Sequence, residues 1–123
     1  MAKVLIIEDH KETIGLLKTV VEICGCEALV ALDGEEGVEK AKKEKPGLIL
    51  MDIMLPKMSG LEVLKRIKGN PETSKIPSVI ISVKARDEDI LEGMALGAED
   101  YLNKPFDPDE LEKIIKKFLS AGR

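Results

Sequence analysis

Cysteine and histidine are scarce in this chain of 123 residues: two of the first, Cys24 and Cys26, and one of the second, His10. Two thiols one residue apart staple nothing, and no Cys or His neighbour completes a zinc-type site. They read as small buried or half-buried thiols in a reducing compartment. Long apolar runs are missing too. None is long enough to span a bilayer. The run after Met1-Ala2-Lys3 is too short, and too soon followed by acids, to be a secretory signal. No repeat or low-complexity linker is visible. Basic charge is not in excess, since the formal net charge is -4, which argues against a general nucleic-acid surface. Hydrophobic residues at 44% and charged residues at 34% suit a soluble, cytoplasmic globular chain. Its length suits one domain, residues 1–123.

The apolar segments that are present are short, and they alternate with helical patterns. Val4-Leu5-Ile6-Ile7 is a continuous apolar run, as expected of a strand buried on both faces. From Lys11 to Cys24 the period changes, with Ile14, Leu17, Val21 and Cys24 on one helical face. Gly25 closes that helix. Glu27 to Leu32 is a second strand. Asp33, with Glu36 three residues on, caps a helix that turns Val38 and Ala41 inward. Gly47 to Met51 is a third strand. Ser59-Gly60-Leu61-Glu62 reads as a capping box opening a helix with a buried stripe of Leu61, Leu64 and Ile67. Pro77 to Ile81 is a fourth strand. Asp87 to Leu96 is a helix of weak pattern containing Gly93. Glu99 to Leu102 is a fifth strand. Asp107 and Pro108 open a last helix with Leu111, Ile114, Ile115, Phe118 and Leu119 inward. Ser120 to Arg123 suits a natural end or a linker equally. Five strand–helix alternations predict an α/β fold: a parallel sheet covered by helices on both faces.

In such a sheet, function lies outside the carboxyl ends of the strands. Those ends carry a consistent set of polar residues: Glu8 and Asp9 after the first strand, Asp52 after the third, Ser82 after the fourth, Lys104 after the fifth. Three carboxylates on one rim repel, at about 4 kcal/mol per like pair ~4 Å apart with an effective dielectric near 20. A divalent cation with hard oxygen ligands, Mg²⁺ or Mn²⁺, removes that penalty. Asp9 and Asp52 are the expected direct ligands, with Glu8 acting through water. A metal, the Lys104 ammonium and the Ser82 hydroxyl around one carboxylate make a receptor for phosphoryl oxygens. Asp52 is then the nucleophile and becomes an acyl phosphate.

Over essentially its whole length the chain resembles a two-component response regulator receiver domain. The resemblance rests on Val4-Leu5-Ile6-Ile7-Glu8-Asp9, Leu50-Met51-Asp52-Ile53-Met54-Leu55-Pro56 with Gly60, Ile81-Ser82, and Gly97-Ala98-Glu99-Asp100-Tyr101-Leu102-Asn103-Lys104-Pro105-Phe106. It implies a flavodoxin-like (βα)5 three-layer sandwich with strand order 2-1-3-4-5. It implies that Asp52 takes a phosphoryl group from a histidine kinase or histidine phosphotransfer protein, so that the chain is a phosphoacceptor and not a conventional enzyme. It implies Mg²⁺ held by Asp9, Asp52 and the Met54 carbonyl with Glu8 in the acidic pair, phosphoryl oxygens held by Ser82 and Lys104, and Tyr101 as the switch aromatic that turns inward as Ser82 moves toward the phosphate. It further implies an output face formed by the fourth helix, fifth strand and fifth helix, a cis bond before Pro105, and a monomer or a phosphorylation-dependent dimer. The downstream target is a protein left unspecified.

Two departures stand out. The acidic pair is Glu8-Asp9 where two aspartates are commoner, and the longer Glu8 still serves. Val83 follows Ser82 where the family usually has Ala or Gly, so a branched side chain crowds the phosphate, which predicts slow dephosphorylation or restricted donor access. His10 beside the acids reads as a solvent or cap residue before it reads as a ligand. Met51, Met54 and Met58 read as packing. A flavin module would want a Ser/Thr/Gly-rich loop where Glu8-Asp9-His10 stands. A haloacid-dehalogenase-like phosphatase would want a second acid at Met54. A receiver-like protein-interaction module that is never phosphorylated is the alternative reading, although none of the five rim residues is missing.

Overall fold

β1 (Lys3–Ile7) sits inside the sheet, flanked by β2 (Glu27–Ala31) on one side and β3 (Leu48–Met51) on the other. β4 (Ser78–Val83) and β5 (Asp100–Lys104) continue from β3, giving a parallel sheet of five strands in the order β2-β1-β3-β4-β5. This is the order that the resemblance implied. The structure is a computed structural model and describes residues 1–83 and 87–119; the expectation for Ser120 to Arg123 lies outside the described residues.

Alternation along the strands sorts the core into two halves. Val4, Ile6, Leu48, Leu50, Val79 and Ile81 face one way, under α1 (Lys11–Ile23) and α5 (Pro108–Leu119). Leu5, Ile7, Ile49, Met51 and Ile80 face the other, under α2 (Gly34–Glu44) and α3 (Gly60–Lys68). α4 (Asp87–Ala95) lies beside α3 on that second face. A strand buried on both faces needs apolar residues at consecutive positions, which is why β1 and β3 read as unbroken runs.

The helix ends follow local hydrogen bonding. After α1, Gly25 takes φ +80° and its N–H donates to Glu22 O, while the Cys26 N–H donates to Val21 O. This pair of bonds closes the helix as expected of glycine. Asp33 Oδ1 accepts from the Glu36 N–H at 2.9 Å, and the Glu36 carboxylate accepts from the Leu32 N–H at 2.8 Å. The box at α3 forms only in part. Ser59 Oγ accepts from the Leu61 N–H at 3.0 Å, but the Glu62 carboxylate turns to Arg66 Nε at 3.3 Å, a charged partner one helical turn on. The buried stripe of α3 is Val63, Leu64 and Ile67, with Leu61 half-buried. The apolar face of α1 likewise centres on Leu17, Val20 and Val21, and Ile14 and Cys24 are half-buried. β4 and β5 run past their expected ends because Ser82 pairs with Asn103 and Val83 with Lys104. There the backbone ladder, not side-chain polarity, decides where the strand stops. The Lys104–Pro105 bond is cis.

Candidate functional site

The chain leaves the sheet in opposite directions from β1 and β3, so their carboxyl ends open a crevice at the point where strand order reverses. Ile7 and Met51 are paired, and the residues that follow them are Glu8 and Asp52. Backbone bonds hold both: the Glu8 N–H donates to Ala31 O at 3.0 Å and the Asp52 N–H to Ile7 O at 3.1 Å. Two acids therefore enter the same crevice from neighbouring strands. Both are buried, Glu8 at 2% exposure and Asp52 at 4%.

Lys104 meets them from the end of β5. Its Nζ donates to Glu8 Oε1 at 2.6 Å and to Asp52 Oδ2 at 2.8 Å. The second oxygen of each acid is also occupied. Glu8 Oε2 accepts the N–H groups of Asp9 and His10 at 3.1 and 3.2 Å, and Asp52 Oδ1 accepts the Met54 N–H at 3.0 Å. Burial by itself would push the Lys104 ammonium down. The hydrogen bonds and charges of Asp52 and Glu8 outweigh it and raise its pKa above the ordinary lysine value. A raised folded-state pKa gives stability that is complete below the unfolded value and lost as pH rises through the folded one. The lysine's share of the triad's stability is therefore intact at neutral pH and lost on the alkaline side, as Lys104 gives up its proton.

Asp9 stands apart from this knot, on the rim. Its Oδ1 lies 3.5 Å from His10 Nδ1. The three ligand-type groups that fall within 4.8 Å of one another, among the described residues, are those of Glu8, His10 and Asp52. Asp9, read as a direct ligand, thus lies exposed on the rim, while the Glu8 side chain turns inward to Lys104. Its extra methylene lets it reach Lys104. His10 also does more than cap α1. It occupies the cap position without a side-chain cap bond and turns its ring to Glu8 Oε2 at 3.1 Å. That bond, with the charge of Asp9 next, raises its pKa. The signal in the sequence was its place directly after two acids.

Ser82 is buried at the end of β4 and opens onto a cleft of about 970 Å³ with Asp9, Met54 and Val83. A smaller hollow of about 340 Å³ holds Asp52, His10 and Lys104, and again Met54 and Val83. These two apolar side chains, 70% and 54% exposed, form the wall common to both. Met58, half-buried, packs against the core below, whereas Met54 faces solvent beside the acid. Tyr101 is not in the site: it stands on β5 opposite Ile80 of β4 and lines a surface cleft with Asn103, Pro105 and Glu110. The loop from Asp52 to α3 is drawn tight by the Gly60 N–H donating to Ile53 O at 2.7 Å. A Cβ at Gly60 would overlap the Asp52 carbonyl oxygen.

Two carboxylates share one ammonium and Asp9 adds a third on the rim beside them, so negative charge is in surplus before His10 is counted, and every carboxylate donor is a hard oxygen. That set fits a hard divalent cation. The model of the response regulator receiver domain family matches residues 4–116. This chain belongs to that family. Its place is therefore in two-component signalling, among proteins that take part in a phosphorelay. It is 37% identical over 121 residues to the protein PilH of Pseudomonas aeruginosa, covering 98% of this receiver and all of that protein. It is 38% identical over 117 residues to the alkaline phosphatase synthesis transcriptional regulatory protein PhoP of Bacillus subtilis, covering 95% of this receiver and 48% of PhoP. The receiver thus spans about half the length of PhoP, the first of these curated relatives. The solved structure of the chemotaxis response regulator CheY4 of Vibrio cholerae superposes with a TM-score of 0.89 at 31% identity, covering 97% of this receiver and 99% of that chain.

Proposed function

We propose that this receiver accepts a phosphoryl group on Asp52 from the phosphohistidine of a kinase or phosphotransfer protein in the cytoplasm, in a Mg²⁺-dependent step. The observation that carries the reading is the knot of Lys104, Glu8 and Asp52 at the strand-order reversal. An Asp52 oxygen attacks phosphorus as the N–P bond of the donor breaks, and the imidazole leaves with the electron pair. Lys104 is already on the attacked carboxylate, so its ammonium needs only to follow the charge onto a phosphoryl oxygen. Ser82 supplies a hydroxyl donor from the neighbouring strand. Asp9, Asp52 and the Met54 carbonyl are the residues that would hold Mg²⁺, with Glu8 behind them. Bound there, the cation neutralises the surplus negative charge and polarises the phosphoryl oxygens. The receiver acts as a phosphoacceptor and not as an enzyme with a separate substrate. Its output passes through α4, β5 and α5 to a protein partner, with Tyr101 on β5 as the switch aromatic.

The test is intact-protein mass after incubation with acetyl phosphate, with and without Mg²⁺, on wild type and Asp52→Asn. A Mg²⁺-dependent phosphoryl adduct on wild type that is absent in the variant supports the reading. An adduct that survives in Asp52→Asn identifies a different acceptor. No adduct on folded wild type favours the alternative, an interaction module that works without phosphate. Val83 lines the hollow that holds Asp52, and its branched side chain is expected to screen the acyl phosphate from water. Val83→Ala is expected to shorten adduct lifetime about threefold to tenfold, at most about 1.4 kcal/mol on the hydrolysis barrier. An unchanged lifetime removes that role.

A further inference from the structure

β2 ends the sheet, with β1 as its one neighbour, so its outer side is a row of backbone groups that no strand pairs. Alternation decides which groups those are. The Glu27 N–H donates to Ala2 O, and Ala31 O accepts from the Glu8 N–H, so Glu27, Leu29 and Ala31 turn to β1. Ala28, Val30 and then Leu32 turn the other way. Two of their groups are taken, both by α2. Lys40 Nζ donates to Val30 O at 2.5 Å, and Glu36 Oε1 accepts the Leu32 N–H at 2.8 Å. These two side chains also meet each other, with Lys40 Nζ 3.1 Å from Glu36 Oε2. A single ion pair on α2 thus covers the carboxyl half of the edge. Both backbone groups of Ala28 and the Val30 N–H face outward beside it. The strand itself is apolar: Ala28, Leu29 and Val30 are half-buried, and Leu32 just beyond is 53% exposed.

We propose that the outer edge of β2 is a pairing surface for the same edge of a second copy of this chain, and that the Glu36–Lys40 pair keeps it shut. The strand sets the register. In antiparallel pairing about a two-fold axis through Leu29, Ala28 stands opposite Val30 of the other copy, and the reverse. Outward residues that face each other in this way exchange both of their bonds. Half of those bonds end on Val30 O, the atom that Lys40 occupies. Side chains do not oppose the join. Glu27 falls opposite Ala31 of the other copy, so no like charges meet across it. What opposes it is Lys40, because each copy must first give up a charge-assisted bond, which is stronger than a neutral one.

The test is sedimentation velocity over a range of concentrations, with amide exchange read residue by residue by NMR. Every sample is free of Mg²⁺ and phosphodonor, so the outcome does not depend on the functional reading. The wild type is expected to sediment as a monomer, with the Ala28 and Val30 amides exchanging fast and those of Leu29 and Ala31 slowly. Lys40→Ala keeps a good helix former in α2. It is expected to lower the dissociation constant for self-association roughly a hundredfold, since a charged hydrogen bond on each copy no longer has to be broken. The Ala28 and Val30 amides then become slow. Lys40→Arg keeps the charge and the donors and is expected to stay monomeric. Ala28→Pro removes an outward N–H and leaves the β1 side intact, so it is expected to return Lys40→Ala to a monomer. If that double variant does not fold, the exchange of Lys40→Ala decides alone. Lys40→Ala that sediments as wild type, or Lys40→Arg that associates as Lys40→Ala does, overturns the guard. A dimer with Ala28 and Val30 still exchanging fast, or one that survives Ala28→Pro, uses another face and overturns the edge. A wild type that already dimerises with those amides protected overturns the shut state.

Discussion

α3 and α4 are each nine residues long and lie side by side over one face of the sheet, yet they grip it by different means. α3 drives Val63, Leu64 and Ile67 into the core, all fully buried, and each is worth about 1.5–3 kcal/mol of burial. Its N-terminus is tied to the acid site through Gly60 and the Ile53 carbonyl. Its C-terminus is tied down by Lys68, whose Nζ donates to the carbonyls of Ser74 and Ile76 and to Glu99 Oε2. α4 brings Gly93 into contact and leaves Leu91 and Met94 in solvent. One helix is part of the core and the other rests on it. Elements with few buried apolar contacts sit at the low-stability end of a fold, and moving parts are drawn from there. On the proposed function, a receiver that holds Asp52 in place and still signals a change would use both kinds of helix next to the same site.

The contrast can be pressed by substitution. The largest effect is expected at Gly60→Ala, where the new Cβ meets backbone on the Asp52 side and no side chain can rotate away. The loss should reach about 3 kcal/mol, the top of the usual overpacking range, in a urea unfolding curve. A near-neutral result would mean that the loop is not held where the structure puts it. Next come two leucines of the two helices. Leu64→Ala is expected to cost about 2–5 kcal/mol, and Leu91→Ala less than about 0.5 kcal/mol, in the same assay. Equal costs would erase the distinction between the helices.

Much of this arrangement was legible in the sequence because period and punctuation agreed. The unbroken apolar runs of β1 and β3 could only be strands buried on both faces, and the acids that ended them could only fall on one rim. Strand order was carried by the resemblance and not by any single residue. What stayed hidden turned on three-dimensional competition for partners. Glu62 looked like half of a capping box until Arg66, one turn away, offered it a charge. Val63 was passed over because Leu61, two residues earlier, gave a plausible stripe with Leu64. That Glu8 is the acid that meets Lys104 was not legible in sequence, since it depends on where Lys104 ends up 96 residues later. His10 is the exposed residue at the start of α1 that the sequence suggested, but its partner, Glu8 Oε2, is defined only once Glu8 has turned inward.

The measurement that bears most directly on the account is hydrogen exchange of the wild-type receiver in Mg²⁺, with and without acetyl phosphate, compared over α3 and α4. Phosphoryl acceptance on Asp52 is expected to change exchange across residues 87–104 and to leave residues 60–68 as they were. A change of equal size in both helices, or one confined to α3, would contradict the division between a fixed helix and a seated one.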